Sequence, residues 1–465
     1  MPLLLLVPAA LRGQSAMSAH TLIGTIEQHS SSGTSIEPAT SPAPMWMGKS
    51  NGWQLMLHGN AFVTNTQQQA DSPRNRDGFF STNWIMPMAQ HAVGSHGQIT
   101  VRAMFSLEPA TISNRNFPEL FQQGETAYGA PIVDGQHPHD FVMELAALYD
   151  LKLSKNTLLS LYAAPVGDPA IGPTAYPHRL TASEDPIAVL GHHQEDSTHI
   201  AFNVFTGGLT YRWARVELSG FHGGEPSENR WQFEPSPNGH AVDSVATRLT
   251  ISPTPDWTGQ YSFAHITSPE ALYPGDDQQR QTASVMYHYT FRTAQTPSMK
   301  MPMKMDSMTD MPGMDMGGAP MSHNQSPAAA PAMQMTPAPT TDLATTVVWG
   351  RTRSLTDNSK ENSYLAEALL RFASRNYVWT RIENAGRSNE LELTPGSPLP
   401  SGFTESPIGH VAAFTFGYDR DFALGAHLLA APGVQATVYR TPSTLQYAYG
   451  TTPTAEQFFI RFRVR

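Results

Sequence analysis

Methionine is concentrated in one stretch of the chain. The 465 residues contain 21 methionines, and eleven of these lie between positions 299 and 335. They are Met299, Met301, Met303, Met305, Met308, Met311, Met314, Met316, Met321, Met333 and Met335. Thioether sulfur is a soft, uncharged ligand that suits Cu(I) and needs no deprotonation before it binds. The stretch, which also contains His323, therefore predicts the capture of copper or silver ions.

The residues between these methionines cannot build a packed core. Proline, glycine and alanine interrupt the methionines throughout, and segments of this composition stay disordered. We therefore predict a disordered Met-rich loop over residues 293–341. A linker without function, and a scavenger of oxidants through sulfoxide formation, are the alternatives to metal capture.

Two further clusters combine histidine with carboxylates. His137 and His139 lie in the motif HPHD, and the second cluster lies in the motif GHHQEDSTH. The candidate ligands of the second cluster are His192, His193, Glu195, Asp196 and His199. Imidazole and carboxylate groups bind copper, zinc and nickel, but no standard ligand spacing such as HExxH is present. A metal site and a hydrogen-bonded polar network both remain open.

The second cluster also contains the residue types of a hydrolase, namely Ser197, His199 and Asp196. Neighbours on one extended segment rarely have the geometry of a nucleophile, a base and an orienting group. No GxSxG motif is present either. We therefore predict that the protein is not an enzyme.

The overall composition excludes several kinds of site and partner. The chain has no cysteine, which excludes disulfides, iron–sulfur clusters and a cysteine nucleophile. A bound metal must therefore be held by histidine, methionine or carboxylate. The net charge of -10, with only 29 lysines and arginines, argues against nucleic acid as a partner.

Strands must position these candidate ligands, because apolar and polar residues alternate over most of the chain from residue 52 onward. In the segment from Thr282 to Arg292, for example, Val285 and Tyr287 share one face while His288 lies on the other. No apolar run approaches the roughly 20 residues of a membrane-spanning helix. Hairpin pairing, aromatic residues near segment ends and a chain that ends inside a strand favour a membrane barrel over a soluble sandwich.

We predict an all-β fold, a single antiparallel transmembrane β-barrel of about 16 strands (roughly 14–18), with a short helical insertion near residues 139–150. The predicted strands lie near residues 53–64, 79–91, 97–108, 147–154, 157–164, 197–206, 208–221, 243–252, 257–267, 279–292, 342–353, 362–374, 376–384, 409–418, 422–439 and 456–465. By strand alternation His199 is expected to face the lumen, and Phe202 and Val204 the lipid.

The chain divides into three predicted regions. Residues 1–19 combine an apolar stretch with small residues, as in a signal peptide, and residues 20–51 are expected to form a flexible N-terminal tether. The barrel is expected to occupy residues 52–465. A plug or loop insertion over residues 109–146 and the Met-rich loop interrupt it.

This architecture resembles the outer-membrane β-barrel proteins of Gram-negative bacteria over nearly the whole chain. The stretch from Met299 to Met335 resembles the Met-rich and His-rich segments of bacterial copper-resistance proteins, including the copper-resistance protein B family. In that family the stretch lies near the N-terminus, whereas here it lies between two late strands. The resemblance implies a copper-binding protein of the outer membrane that contributes to metal tolerance. Its partners would be lipid, metal ions and a periplasmic metal-efflux component.

Two functions follow from these observations. The first is an outer-membrane barrel that captures copper through the Met-rich loop, with a second site of histidines and carboxylates in the lumen. The alternative is a porin-like channel for another small solute, in which the Met-rich loop is an incidental linker.

Overall fold

A computed structural model describes residues 20–71, 73–113, 115–196, 201–224, 229–232, 242–291 and 340–465. The predicted signal peptide and residues 292–339, which contain the eleven clustered methionines and His323, lie outside these ranges. His199 and Ser197 also lie outside the described residues. The predictions made for them therefore stay predictions.

Sixteen long antiparallel strands form the wall of a closed barrel. They are β1 (Trp53–Gln69), β2 (Arg76–Val93), β3 (Gly97–Phe105), β4 (Val142–Ser154), β5 (Thr157–Gly167), β6 (Ala201–Tyr211), β7 (Ala214–His222), β8 (Ser244–Ile251), β9 (Trp257–Ile266), β10 (Gln278–Phe291), β11 (Thr341–Ser354), β12 (Lys360–Phe372), β13 (Asn376–Ser388), β14 (Pro407–Arg420), β15 (Leu428–Arg440) and β16 (Thr454–Val464). The barrel closes where β16 pairs with β1, from Asn60 opposite Arg463 to Gln69 opposite Thr454. The predicted barrel of about 16 strands is confirmed.

The remaining described elements are short. A strand at Trp46–Ser50 pairs with the first residues of β1, and Phe422–Ala423 pairs with β15. Two small sheets pair Phe117–Pro118 with Gly135–Gln136, and Glu125–Ala127 with Ala130–Ile132. The helical turns are Leu22–Ile26, Glu108–Thr111, Leu180–Ala182, His192–Glu195, Asn389–Glu392 and Gln446–Tyr449. None of the described helices is long and apolar enough to cross a membrane.

The wall alternates between an apolar exterior and a charged interior. On β7, Val216 and Leu218 are 56% and 65% exposed, whereas Arg215 and Glu217 beside them are 2% and 1% exposed. Side chains of successive strand residues point to opposite faces, so one face meets lipid and the other lines the lumen. An apolar outer band on a closed barrel is the surface that a bilayer requires.

The two ends of the barrel differ in their connections. Residues 94–96, 155–156, 212–213, 252–256, 373–375 and 421–427 form short connections at the end where β1 begins and β16 ends. We call this the turn end. The opposite loop end carries longer connections, including 106–141, 168–200 and 389–406. In outer-membrane barrels the short turns face the periplasm. The connection from β10 to β11, which contains the Met-rich stretch, also joins its strands at the turn end.

The predicted helical insertion near residues 139–150 is wrong, because Val142–Ser154 forms strand β4. Leu145 and Leu148 fit the spacing of a helix, but they also fit a strand: Leu145 is exposed on the outer face and Leu148 is buried in the lumen. Pairing with β3 on one side and β5 on the other satisfies the backbone hydrogen bonds of β4. This pairing outweighs the short helical pattern.

The predicted outward orientation of Phe202 and Val204 is also wrong, because both are buried while Phe205 is exposed. The pairing of β6 with β7 shifts register between Phe202 and Phe205, and Asn203 has a φ of 50 degrees. A bulge of this kind inserts an extra residue and reverses the alternation on one side of it. Residues 192–195 form a helical turn rather than an extended segment, so alternation does not apply to the cluster before it.

Three inward-folded segments fill much of the lumen. They are residues 20–44 (the N-terminal segment), 106–141 (the first insertion) and 168–196 (the second insertion). The structure differs from the predicted flexible tether, because Leu22, Ile23 and Ile26 pack against Leu158 of the wall. The polar part of the N-terminal segment is held by wall arginines that are distant in sequence.

The lipid-facing alternation predicts a specific response to charge. Leu218 is the middle residue of β7 and faces outward, so Leu218→Arg should cost about 2–4 kcal/mol of unfolding free energy. Equilibrium denaturation in lipid vesicles measures the difference. Leu424→Arg is the matched control, because Leu424 is equally exposed but lies in the turn after β14. Equal costs for the two substitutions would contradict the assignment of the outer face.

Candidate functional site

A buried arginine on the wall holds the N-terminal segment in place. Arg102 of β3 is 0% exposed, and its Nε and Nη2 atoms lie 2.6 and 2.8 Å from the carboxylate of Glu144. The same guanidinium donates to the backbone carbonyls of His29 (3.1 Å) and Gly33 (2.7 Å). Gly33 has a φ of 58 degrees, and a Cβ at this position would lie 2.5 Å from the Cβ of Asp168. Only glycine therefore allows this close approach of the N-terminal segment to the second insertion.

A second wall arginine joins two of the inward-folded segments. Arg248 of β8 pairs with Glu217 of β7 at 2.9 Å. Its Nη2 donates to the hydroxyl of Thr34 in the N-terminal segment at 2.8 Å, and its Nη1 donates to the carbonyl of Gly172 in the second insertion at 3.1 Å. A charged group buried in the lumen is stable only when it is paired and hydrogen-bonded. The wall arginines and the inserted segments therefore stabilise each other.

The second insertion is tied to the far side of the wall by its own charges. Arg179 pairs with Glu367 of β12 at 2.8 Å and with Asp196 at 2.6 Å. Glu184 pairs with Arg463 at 2.6 Å. These links cross between the insertion and strands that follow it by more than 150 residues, so they set its position in the lumen.

The first predicted histidine cluster is divided between two carboxylates. His139 Nδ1 lies 2.9 Å from Glu108, while His137 Nε2 lies 3.5 Å from Glu125. Burial and the charge of Arg230 lower the pKa of His137 to about 3, so this imidazole is neutral at pH 7. The two histidines of the HPHD motif therefore do not share a ligand position.

The second predicted cluster is divided in the same way. His192 Nδ1 lies 2.6 Å from Asp196, while His193 Nε2 lies 2.9 Å from Glu125 of the first insertion. Burial would raise the pKa of Asp196, but the hydrogen bond with His192 and the charge of Arg179 hold it below its usual value. Burial and the neighbouring Asp196 raise the pKa of Glu195 to about 8. Glu195 is therefore mostly protonated at pH 7.

Glu125 is a point where the two predicted clusters meet, and Tyr176, which contacts both His139 and His192, is another. Glu125 contacts His137 and His193, and its carboxylate also accepts the backbone N–H of His137 at 2.9 Å. Within the ranges that the structure describes, no group of three or more His, Asp or Glu side chains is arranged to hold a metal ion. The arrangement instead cross-links the two insertions. A metal site that uses His199 stays a prediction.

The sequence analysis missed a group of methionines inside the lumen. Met56, Met86, Met88, Met104 and Met143 are buried together, and Met45 and Met47 pack against them. We call these seven residues the methionine cluster. The pairs 45 and 47, and 86 and 88, are spaced as residues on one face of a strand. This spacing in the sequence could have indicated a row of methionines on one face of a strand, but it does not show that four strands bring their methionines to one place.

A cavity of about 400 Å³ opens at the loop end between the second insertion and the connections of β9 to β14. Its acidic lining residues are Glu270, Asp276, Asp357, Glu361 and Glu405, and its basic lining residues are Arg280 and His193. Burial and the neighbouring Glu405 raise the pKa of Glu270 to about 7. Burial and the neighbouring Glu361 likewise raise the pKa of Glu405 to about 7. The cavity therefore gains negative charge as the pH rises through neutrality.

The closed sixteen-strand barrel, its apolar exterior and its charged lumen define the class: the chain is an outer-membrane β-barrel protein of the Gram-negative type. No family model matches the chain, and no curated protein matches it in sequence.

Solved structures of similar fold are bacterial outer-membrane proteins. An anion-selective porin from Comamonas acidovorans is 10% identical, with a TM-score of 0.47 over 88% of this chain and 99% of that chain. OmpF of Salmonella typhi, in complex with daunomycin, is 8% identical, with a TM-score of 0.47 over 89% of this chain and 99% of that chain. OmpT, an outer membrane protein of Vibrio cholerae, is 8% identical, with a TM-score of 0.42 over 90% of this chain and 99% of that chain.

Removal of the anchoring arginine should release the N-terminal segment. Arg102→Met leaves the carboxylate of Glu144 unpaired in the lumen, and breaking a buried pair in this way costs about 3–5 kcal/mol. Because the chain has no cysteine, a Ser32→Cys reporter can be labelled alone with a maleimide. Ser32 is 3% exposed, so we expect slow labelling in the parent and fast labelling with Arg102→Met.

A Ser95→Cys reporter in the exposed turn between β2 and β3 controls for reagent access, and it should react quickly in both backgrounds. Heat-modifiable gel migration checks that each barrel is folded. Equal labelling of the Ser32→Cys reporter with and without Arg102 would show that this arginine does not retain the segment.

Proposed function

We propose that the protein is a plugged, cation-selective channel of the porin type. A barrel of sixteen strands is wide enough to leave an aqueous passage, but the three inward-folded segments occupy much of this lumen. Such a barrel should conduct far less than an open porin of the same strand number. The observation that carries the proposal is the acidic cavity at the loop end.

The charge of this cavity favours cations over anions. Five carboxylates line it, against one arginine and one histidine. Rings of carboxylates select cations in channels, because the field in a low-dielectric mouth concentrates ions of opposite charge. Tyr273 donates a hydrogen bond to the buried Glu390 beside the cavity at 3.2 Å, which adds a further acidic group behind the lining. The best-supported solute is therefore a small cation.

Neutralising the lining should weaken the cation preference. We expect Glu361→Gln combined with Glu405→Gln to lower the ratio of cation to anion permeability by about two-fold or more. Reversal potentials in planar bilayers under a salt gradient measure this ratio. Glu456→Gln together with Glu392→Gln removes the same charge outside the cavity lining and should leave the ratio unchanged.

The pH dependence provides an independent check. Because the pKa values of Glu270 and Glu405 are raised to about 7, both groups are mostly protonated at pH 6 and mostly charged at pH 8. The cation preference of the parent should rise over this interval. If the ratio of cation to anion permeability changes neither with pH nor with the double substitution Glu361→Gln and Glu405→Gln, the cavity does not select cations.

We further propose copper handling as a second function, with a periplasmic metal-efflux component as the partner. The topology favours it, because the Met-rich stretch connects β10 to β11 at the turn end. In an outer-membrane barrel this end faces the periplasm. A sequence rich in thioethers at that position would meet periplasmic Cu(I), which soft ligands select over harder ions.

Deletion of residues 297–336 tests this second function. The purified protein should bind several equivalents of Cu(I) under anaerobic conditions, and the deletion should remove most of them. Replacement of the same stretch by a Gly/Ser linker of equal length keeps the connection between β10 and β11 and serves as the control for folding. Unchanged Cu(I) stoichiometry in both variants would remove the stretch from the mechanism.

A further inference from the structure

The methionines of the described chain are gathered at one place. Eight methionines lie within the described ranges, and seven of them belong to the methionine cluster; the exception is Met286 on β10. Two other buried clusters each mix several residue types: one contains leucine, valine, phenylalanine and tyrosine, and another contains alanine, isoleucine and tyrosine. Every fully buried member of this cluster is methionine. The packing of an apolar core does not by itself require that all its buried residues be of one type.

The strand register brings the thioethers side by side. Met47 lies opposite Met56 across the short strand and β1, and Met56 lies opposite Met88 across β1 and β2. Opposed residues on neighbouring strands have Cβ atoms about 4.5–5.5 Å apart, so three flexible thioether side chains can converge on one point. Met86 is the next inward residue on β2 and lies opposite His58.

Two histidines and a tryptophan border the cluster. His178 of the second insertion places its Nε2 3.3 Å from the sulfur of Met104. The ring of Trp84 lies 4.2 Å from the ring of His178 and 4.7 Å from the ring of His58. Trp84 also packs against the methionines. Thioether and imidazole are ligands for Cu(I), and an indole face attracts a nearby cation.

A small cavity and a buried nitrogen lie beside the methionine cluster. The cavity, of about 60 Å³, is lined by His58, Trp84 and His178, among others, and the methionines lie outside its lining. His58 is 9% exposed, and its Nδ1 has no hydrogen-bond partner among the described residues. A buried polar atom without a partner is costly unless a water or an ion satisfies it. The lack of a hydrogen-bond partner for the Nδ1 of His58 is a second observation, separate from the methionines, that indicates a bound ligand.

We propose that the methionine cluster, together with His178 and His58, binds one soft monovalent cation, Cu(I) or Ag(I), inside the barrel. The inference rests on the copper handling proposed above and gives it a site within the folded wall. The ligands are uncharged thioethers and imidazoles, which favours a soft monovalent ion over a hard divalent one. Two wall arginines lie near the site, and both are paired: Arg102, opposite Met88, with Glu144, and Arg463, which lines the cavity beside His58, with Glu184.

The position of the cluster connects it with the turn end. Met56 is the fourth residue of β1, which begins at the turn end, and Met88 lies five residues before the end of β2 at Val93. Met104 and Met143, by contrast, lie next to the opposite ends of β3 and β4. The cluster therefore extends from the turn-end part of β1 and β2 into the barrel, where His178 of the second insertion contacts it.

The test separates the lumen site from the Met-rich stretch. In full-length protein with residues 297–336 replaced by a Gly/Ser linker, anaerobic titration with Cu(I) should still show one bound equivalent. Met56→Leu, Met86→Leu and Met88→Leu together should abolish it, because leucine keeps the apolar volume but lacks the sulfur. Met286→Leu is the matched control and should bind normally. X-ray absorption of the bound copper should show sulfur together with nitrogen ligands.

Each outcome is decisive for one of the two proposals. If the linker variant binds no Cu(I) while the parent does, the lumen site is overturned and the Met-rich stretch alone carries copper handling. If neither binds Cu(I), both proposals fall. If the triple leucine variant in the linker background keeps its bound equivalent, the methionine cluster is not the site. Gel migration with and without heating confirms that every variant is a folded barrel.

Discussion

Burial of charged wall side chains is the constraint on which the interior depends. A sixteen-strand wall encloses more space than its own side chains fill, and this wall projects arginines such as Arg102, Arg248 and Arg463 into that space. Each of them needs a carboxylate or carbonyl partner, because an unpaired charge in a lumen screened from water is costly. The N-terminal segment and the two insertions supply many of these partners. The position of the plug in the lumen therefore follows from this pairing.

Alternation in the sequence predicted the wall well, because each strand is amphipathic along its whole length. The segment from Thr282 to Phe291 reads as one apolar and one polar face, and β10 indeed exposes Val285 and buries His288. The predictions were wrong where a few residues fit two periods, as in β4, or where a bulge reverses the alternation, as at Asn203. The packing of residues 20–44 depends on Arg102 and Arg248, which no local pattern reveals.

In the candidate site, too, local sequence patterns did not reveal contacts between residues that are distant in the chain. Local density of histidine and carboxylate identified polar groups that are indeed buried, but their partners lie elsewhere in the chain. Glu108 and Glu125 belong to the first insertion, and Glu125 contacts His193 of the second insertion. The methionine cluster is assembled from residues between positions 45 and 143 on several strands. Only the register of the neighbouring strands from the short strand through β1 to β4 brings them together.

The second insertion contacts both the acidic cavity and the methionine cluster. His193 lines the acidic cavity at the loop end, and His178, fifteen residues earlier in the same insertion, contacts Met104 of the methionine cluster. Carboxylates attract cations through charge and discriminate little among them, whereas thioethers discriminate by softness. A cation that enters the acidic cavity would therefore meet ligands that discriminate among cations only at the methionine cluster, on the other side of this insertion. Arg179 fixes the insertion to Glu367 of the wall, so the distance between the two sites is set by the same charge pairing that positions the plug.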